Sequence, residues 1–340
     1  MKAFLLEDRE KSSFIDVQKQ EPLSGEIVVK VKTLGLCGSD FKTYHKENPM
    51  VVYPIIPGHE IGCEIVALGP DVPSDIKVGQ RGTILPYTTC GHCPACRAKK
   101  FNTCSTNKTM GVARPGAAQP YVKLRYQDFI ACPDEMSFTD IALIEPLSVG
   151  IHAARRAKDV KGKKVLLYGL GIVGLGVLLE LVKAGADVSL ADIAEDKLKL
   201  ALEMGANKAF NIKSATFRKE VEEYTNNEGF EVVLDAVGSA SVAQSALELV
   251  AVAGTIVFIG YHDDTFPFTT KPIVSRELSV FGSRNALLED FVAAKEIILE
   301  KPDLKETLIS KRFLFEDIDK AFRYWTENRK SVTKILIDFK

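Results

Sequence analysis

Two sets of metal-binding side chains stand in the first half of the chain. Cys90, Cys93, Cys96 and Cys104 follow a C-x2-C-x2-C-x7-C spacing, which lets four thiolates from one short excursion converge on a tetrahedral zinc ion. A closed set of four sulfurs makes a structural site. The second set is scattered: Cys37 in L-C-G-S-D, His59 and Glu60 in P-G-H-E, and Glu145 in I-E-P-L-S-V-G. One thiolate, one imidazole and carboxylates leave zinc a position for water or substrate, which is the catalytic kind of site. Each set has a plainer reading. The four cysteines can pair as two disulfides, Cys37 can be a core thiol, and His59-Glu60 can be a turn pair. Residues 1–7 form a short apolar run broken by charges and do not resemble a secretory signal, so a reduced cytoplasmic setting is expected and zinc is favoured over disulfides. Cys63 and Cys132 lie in apolar contexts and are read as small buried side chains.

A third constellation handles a dinucleotide. The run Gly169-Leu-Gly-Ile-Val-Gly174 follows an apolar strand and opens a helical pattern. A bare G-x-G-x-x-G is a weak signal, but in this context Gly169, Gly171 and Gly174 permit a tight turn, close approach of a pyrophosphate, and helix-on-strand packing. Asp192 ends the next strand, where a carboxylate accepts hydrogen bonds from the adenosine ribose and repels a 2′-phosphate, which favours NAD over NADP. Lys197 is either a second ribose contact or an exposed helix lysine. Val237-Gly238 and Ile259-Gly260 end later strands and are expected to pass under the cofactor.

These residues need two frames to position them, and 340 residues is too long for one ordinary core. Up to about residue 143 the chain shows short alternating runs punctuated by Gly and Pro, such as 26–32, which predicts a β-rich domain. From residue 161 strands alternate with helical patterns: strands at 163–168, 188–191, 232–234 and 255–259, helices at 172–184, 195–204, 217–224 and 243–252. That is the signature of a parallel sheet with crossover helices. Pro146 suits the first turn of a helix over 145–156 that links the two textures. Helices at 289–299 and 317–326 and a strand at 334–338 form a tail too small for a domain, so it should return to the first one. The expected organisation is therefore a domain over 1–147 with a zinc lobe at about 86–110, a dinucleotide domain over 148–282, and a return segment over 283–340.

Composition excludes other partners. Lys and Arg total 44 against 45 Asp and Glu, a net charge of −1, which gives no electrostatic footprint for nucleic acid or an anionic membrane. The longest apolar stretch, 172–182, is too short to span a bilayer.

In motif order, C-G-S-D, G-H-E, the four-cysteine lobe, E-P-L-S-V-G-I-H-A, G-L-G-I-V-G and a terminal strand, the chain resembles the zinc-dependent medium-chain alcohol dehydrogenases along its whole length, and within them the polyol, sorbitol dehydrogenase-like branch. Glu145 stands where classical alcohol dehydrogenases carry a third zinc-ligating cysteine. The resemblance implies a GroES-like catalytic domain, a Rossmann cofactor domain, an active site in the cleft between them, NAD, two zinc ions per chain and a homo-oligomer, dimer or tetramer. It also implies that Cys37, His59 and Glu60 hold the catalytic zinc, with Glu145 either a ligand or hydrogen-bonded to its water. Ser39 is placed to relay a proton outward, with His45 as a possible end of the relay. As plainer readings, Ser39 caps the following turn and His45 has no part in the chemistry.

The run Phe281-Gly-Ser-Arg-Asn-Ala286 followed by Glu289-Asp-Phe is similar to that of a subgroup acting on sugar acids such as L-galactonate and L-gulonate. Arg284 then contacts substrate or pairs with Glu145. Two departures bear on substrate. Ala118 stands where the family has a pocket aromatic, and Lys42 where many polyol and threonine dehydrogenases have a histidine. With Arg114, Lys42 would suit an anionic substrate, although lone basic residues are commonly solvated surface. The expected reaction is oxidation of a secondary alcohol of a polyol or sugar acid; sorbitol, L-threonine, butanediol, a sugar-alcohol phosphate, or a non-catalytic zinc- and NAD-binding protein are the alternatives.

Overall fold

The structure, a computed structural model, describes residues 1–261, 265, 269–329 and 331–340. It divides into two compact units, Met1–Pro146 with Phe291–Lys340, and Leu147–Asp290.

The first unit is built on a seven-stranded sheet. Its order runs Ile309–Leu314, Lys334–Asp338, Glu26–Leu36, Glu60–Leu68, Arg81–Ile84, Phe129–Ala131, with Tyr121–Arg125 also paired to Glu26–Leu36. The β-branched run Ile27, Val28, Val29, Val31 suits the pleated centre of such a sheet, and all four are buried. Lys334–Asp338 adds antiparallel beside Glu26–Leu36 in the register Ile335↔Leu36 and Leu336↔Gly35. The same Gly35 faces Glu60 on its other side. The last strand therefore delivers Lys334 to the neighbourhood of Glu60. The helix Ile318–Glu327 buries Ile318, Ala321, Phe322 and Trp325, an i, i+3, i+4, i+7 stripe, and Phe322 stacks on Phe4 with centroids 5.8 Å apart. Burying each such ring contributes roughly 1.5–3 kcal/mol. Ala118, expected at a pocket wall, is instead fully buried in this core.

The second unit carries a six-stranded parallel sheet. Its spatial order is Lys208–Asn211, Asp187–Asp192, Lys164–Tyr168, Phe230–Asp235, Val250–Phe258, Ser279–Gly282. Counted from its own first strand this is 3-2-1-4-5-6, the order that opens a crevice beyond the carboxyl ends of the first and fourth strands.

Three expectations are corrected. The helix read over 243–252 is Ala240–Leu249, started by the Ser239 side chain accepting from Val242 N. Residues 250–252 open the next strand instead, because the β-branched V-A-V run pairs with Phe230 ahead of a bulge that ends at Val232↔Thr255. Helical periodicity alone cannot separate those three residues from the helix. Second, the return segment does not start at 283. Residues 283–290 belong with the second unit, where the buried Asp290 carboxylate accepts from His152 Nδ1 at 2.8 Å, Arg155 at 3.0 Å and Leu287 N at 2.9 Å. Third, the strands Lys208–Asn211, Ser279–Gly282 and Ile309–Leu314 had no sequence signal. They are sheet edges that mix apolar with polar residues, K-A-F-N, S-V-F-G and I-S-K-R-F-L, and show no continuous apolar run.

Candidate functional site

The four-cysteine lobe converges as its spacing predicts. Cys93 caps the short helix Pro94–Arg97, with Pro94 in its first turn, and this turns Cys96 back toward Cys90. The four sulfurs lie within 4.8 Å of one another, with Cys90 to Cys96 and Cys93 to Cys104 at 4.0 Å. A tetrahedral zinc with Zn–S bonds of about 2.3 Å puts its sulfurs about 3.8 Å apart, so the set fits that ion. Disulfides do not form: all seven cysteines are free thiols. Backbone N–H groups already point at the sulfurs, from Cys93 to Cys90 and from Cys96 to Cys93 at 3.4 Å, and from Cys90 to Cys104 at 3.3 Å. The N–H groups of Ser105 and Cys96 hold the Cys93 thiol down to about 5, while burial and the neighbouring Cys93 push Cys96 up to about 11. Cys90 is lowered as well, and a dication would favour the thiolate form of all four.

The second cluster is assembled by Asp40. Cys37 is the N-cap of the helix Gly38–Tyr44, and the Asp40 carboxylate closes that cap by accepting Cys37 N at 2.9 Å. Its other oxygen accepts Gly58 N at 3.1 Å, tying the P-G-H-E turn to the cysteine loop. Burial raises the Asp40 pKa, against His59 and these donors. The outcome is that Cys37, His59 and Glu60 bring one ligand atom each within 4.8 Å of one another. His59 is 5% exposed, and its Nδ1 is buried without a hydrogen-bond partner. A buried histidine with an orphan nitrogen, grouped with a thiol and a carboxylate, fits a zinc ligand set better than a core histidine. Burial lowers the His59 pKa, but the Cys37 thiol and the Asp40 and Glu145 charges outweigh it and the net shift is well upward.

Each carboxylate has a partner that sequence reading missed. Lys334 Nζ donates to both Glu60 oxygens, at 2.8 and 2.6 Å, and to Leu36 O at 3.0 Å. Both side chains are almost completely buried, at 2% and 1% exposure. Burial lowers the Lys334 pKa, yet Glu60, Cys37 and Glu145 carry it upward. Gly35 leaves room for it: a Cβ there would stand 2.3 Å from Glu60 Oε2. Glu145 lies in the helix Ile144–Arg156, outside the three-ligand set, and accepts a 2.7 Å hydrogen bond from the buried Tyr87 hydroxyl. Burial raises the Glu145 pKa, with Glu60 adding and His59 opposing.

The remaining candidates separate. Ser39 Oγ is buried and partnerless, suited to a proton relay. His45 is not: Nδ1 is bound to Glu10 at 3.0 Å and Nε2 to Thr326 Oγ1 at 3.0 Å. With both nitrogens committed, the ring fastens the helix Gly38–Tyr44 to two other segments. Arg114 is also reassigned, because its guanidinium donates to Lys108 O at 3.0 Å and Pro86 O at 3.3 Å; it braces the backbone beside Tyr87. Lys42 is half-buried in the last turn of Gly38–Tyr44, and Arg284 is exposed in the second unit.

In that second unit the three glycines each meet a distinct demand. Gly169 has φ +85°, a left-handed turn that favours glycine. Gly171 caps the helix Ile172–Lys183 with nothing within 4 Å of where a Cβ would be, an open approach to backbone N–H groups at a helix N-terminus. A Cβ on Gly174 would stand 2.0 Å from Gly169 O, so helix and turn touch. Asp192 Oδ2 accepts Leu170 N at 2.9 Å, and Oδ1 accepts Ile193 N at 2.7 Å and Ala194 N at 3.1 Å. The carboxylate shapes the glycine turn and keeps a remaining acceptor site of its roughly four. Lys197 is half-buried in the helix Glu195–Glu203. Asp235 Oδ1 accepts Val237 N and Gly238 N, both at 2.9 Å, and Gly238 packs on Gly260 where a Cβ would stand 2.4 Å from the facing backbone. Val237, Gly238, Ile259 and Gly260 thus form one tight shelf at the strand ends.

No helix among the described residues is long and apolar enough to cross a membrane. Residues 23–134 match the alcohol dehydrogenase GroES-like domain and residues 173–300 the zinc-binding dehydrogenase domain. The sorbitol dehydrogenase of Bacillus subtilis (strain 168) is 35% identical over 76% of this chain and 74% of its own. The L-galactonate-5-dehydrogenase of Escherichia coli K12 is 28% identical over 95% of each. The structure of RspB from Escherichia coli CFT073, solved with NADH, superposes with a TM-score of 0.90 at 30% identity, covering 100% of this chain and 99% of that one. Two metal-ligand clusters in one unit, a dinucleotide turn in the other and these likenesses place the chain in the zinc-type medium-chain alcohol dehydrogenase family, oxidoreductases that work with zinc and a nicotinamide dinucleotide.

Proposed function

We propose that the protein oxidises a secondary alcohol of a polyol or sugar acid, such as L-gulonate or L-galactonate, to the ketone, passing the hydride to NAD. The observation that carries this reading is the close trio Cys37, His59 and Glu60, the last two buried, with the unpartnered His59 nitrogen. A zinc ion held there would polarise the substrate hydroxyl and lower its pKa toward neutrality. Ser39, two residues from Cys37, offers its partnerless hydroxyl to carry the released proton outward. Glu60 and Glu145 supply the negative charge that a thiolate and a neutral imidazole leave incomplete. The four-sulfur cluster takes the second zinc as a structural ion. The small-molecule substrate is the expected partner. The edge position of Ser279–Gly282 among the described residues, with Val280 39% exposed, supports assembly into a dimer or tetramer.

NAD is favoured by Asp192, buried at the end of its strand, because a 2′-phosphate would meet a carboxylate there. Asp192→Ala is expected to raise KM for NAD more than KM for NADP, with Val237, Gly238, Ile259 and Gly260 left to carry the rest of the cofactor. Steady-state kinetics with both cofactors read it, and equal changes would remove Asp192 from the ribose.

Among relatives, the name sorbitol dehydrogenase favours a neutral polyol and the name L-galactonate-5-dehydrogenase a sugar acid. Lys42 and Arg284 favour the acid. An ionic hydrogen bond contributes roughly 1.5–3 kcal/mol, so an aldonate should exceed the uncharged polyol of matching stereochemistry by about 10- to 100-fold in kcat/KM. A panel of aldonates, polyols, L-threonine and butanediol assayed with NAD at alkaline pH tests this. If sorbitol is turned over as well as L-gulonate and L-galactonate, the sugar-acid reading falls and a plain polyol dehydrogenase stands.

A further inference from the structure

Two buried carboxylates flank Cys37 and His59, and they are held in different ways. Glu60 is gripped at both oxygens by Lys334 and still lies in the three-ligand set. Glu145 lies outside that set, although its charge acts on His59, and the Tyr87 hydroxyl donates to its Oε1 at 2.7 Å. The phenol is itself rigidly mounted. Tyr87 is 4% exposed and meets Phe291 edge-on, centroids 6.4 Å apart. The residues on either side are pinned as well: Pro86 O accepts Met110 N at 2.9 Å and the Arg114 guanidinium at 3.3 Å, and Thr88 N donates to Asn107 Oδ1 at 3.0 Å while its hydroxyl accepts Lys108 N at 2.7 Å.

We infer that Tyr87 is a positioning residue that holds Glu145 back, so that Cys37, His59 and one carboxylate ligate the ion and a place stays open for substrate. This rests on the zinc reading proposed above. A second carboxylate entering the same ligand set would close it, and closed four-ligand sites are structural ones. The phenol supplies a fixed competing donor for one oxygen of Glu145, and partners of this kind typically change metal affinity or activity by 10- to 100-fold when removed. Without the hydroxyl, Glu145 turns to the ion and the substrate must displace it. The signature is therefore a rise in KM with a much smaller change in kcat.

The test is Tyr87→Phe in the full-length enzyme, with zinc retained in the four-sulfur site and Co2+ placed in the other. Tyr87→Phe should shift the visible Co2+ bands, raise KM by about 10- to 100-fold, and leave the melting temperature nearly unchanged. In a Glu145→Gln background the same change should have no further effect on either readout, because the carboxylate it controls is gone. A wild-type protein without a Co2+ band at Cys37 and His59 overturns the zinc reading and this inference together. A normal wild-type band that Tyr87→Phe leaves unmoved, or KM effects that simply add to those of Glu145→Gln, overturns the role of Tyr87 alone.

Discussion

Lys334→Met will cost the fold about 3–5 kcal/mol, because it strands a carboxylate in the core. The ammonium donates to both Glu60 oxygens and to Leu36 O, and neither partner is more than 2% exposed. At that burial no water replaces the lost donor, and an unpaired buried charge costs far more than the pair contributes. The deficit should appear as a lower urea midpoint with an unchanged slope. Glu60→Gln in the same chain removes the stranded charge, so the double variant should recover a large part of the loss and reveal coupling between the two sites. A single variant that unfolds at the wild-type midpoint would show that Glu60 finds neutralisation without Lys334. The same pair explains why position 35 is glycine: Gly35→Ala would drive a methyl against Glu60 Oε2.

This pair also marks where sequence reading stopped. The cysteine ladder was legible because its ligands sit within fifteen residues, and the glycine turn because strand, turn and helix are contiguous. Glu60 and Lys334 are separated by 274 residues, and Lys334 reads as the polar first residue of an apolar strand. Only the antiparallel register of Lys334–Asp338 against Glu26–Leu36 reveals it. Tyr87 gave no better signal, since L-P-Y-T-T carries neither a period nor a motif. His45 misled for the converse reason. A histidine near Cys37 suggests chemistry, whereas Glu10 and Thr326, which commit both its nitrogens, lie 35 residues before and 281 after it. The apolar central strands and the helices of the second unit were legible from their alternation; its two edge strands, K-A-F-N and S-V-F-G, mix apolar with polar residues and were not.

The two metal clusters should fail in opposite ways when a thiol is removed. The lobe around Cys90, Cys93, Cys96 and Cys104 packs only those cysteines and Ala95 together, so it has no hydrophobic core to fall back on. Its N–H donors are aimed at sulfur, and its order depends on the ion that neutralises those sulfurs. Binding at closed zinc sites contributes folding free energy, on the order of 10 kcal/mol in small zinc-dependent peptides. Cys96→Ser should therefore release one zinc per chain, lower the melting temperature, and open the lobe to protease at the exposed Lys99 and Lys100. Cys37 borders a different environment. The elements that carry Cys37 and its partners contribute Leu34, Leu36, Phe41, Ile61 and Ile335 to the large buried core of the first unit, and Asp40 still ties Gly58 to the helix Gly38–Tyr44 without the thiol. Cys37→Ser should release the other zinc, leave the melting temperature near that of the parent, and reduce turnover by at least about a thousandfold, the loss of Lewis-acid assistance to the alcohol. Zinc content, thermal melting and initial rates measured on the same preparations separate the two. Turnover lost with Cys96→Ser while the fold holds, and a collapsed fold with Cys37→Ser, would mean that the structural and catalytic assignments are exchanged.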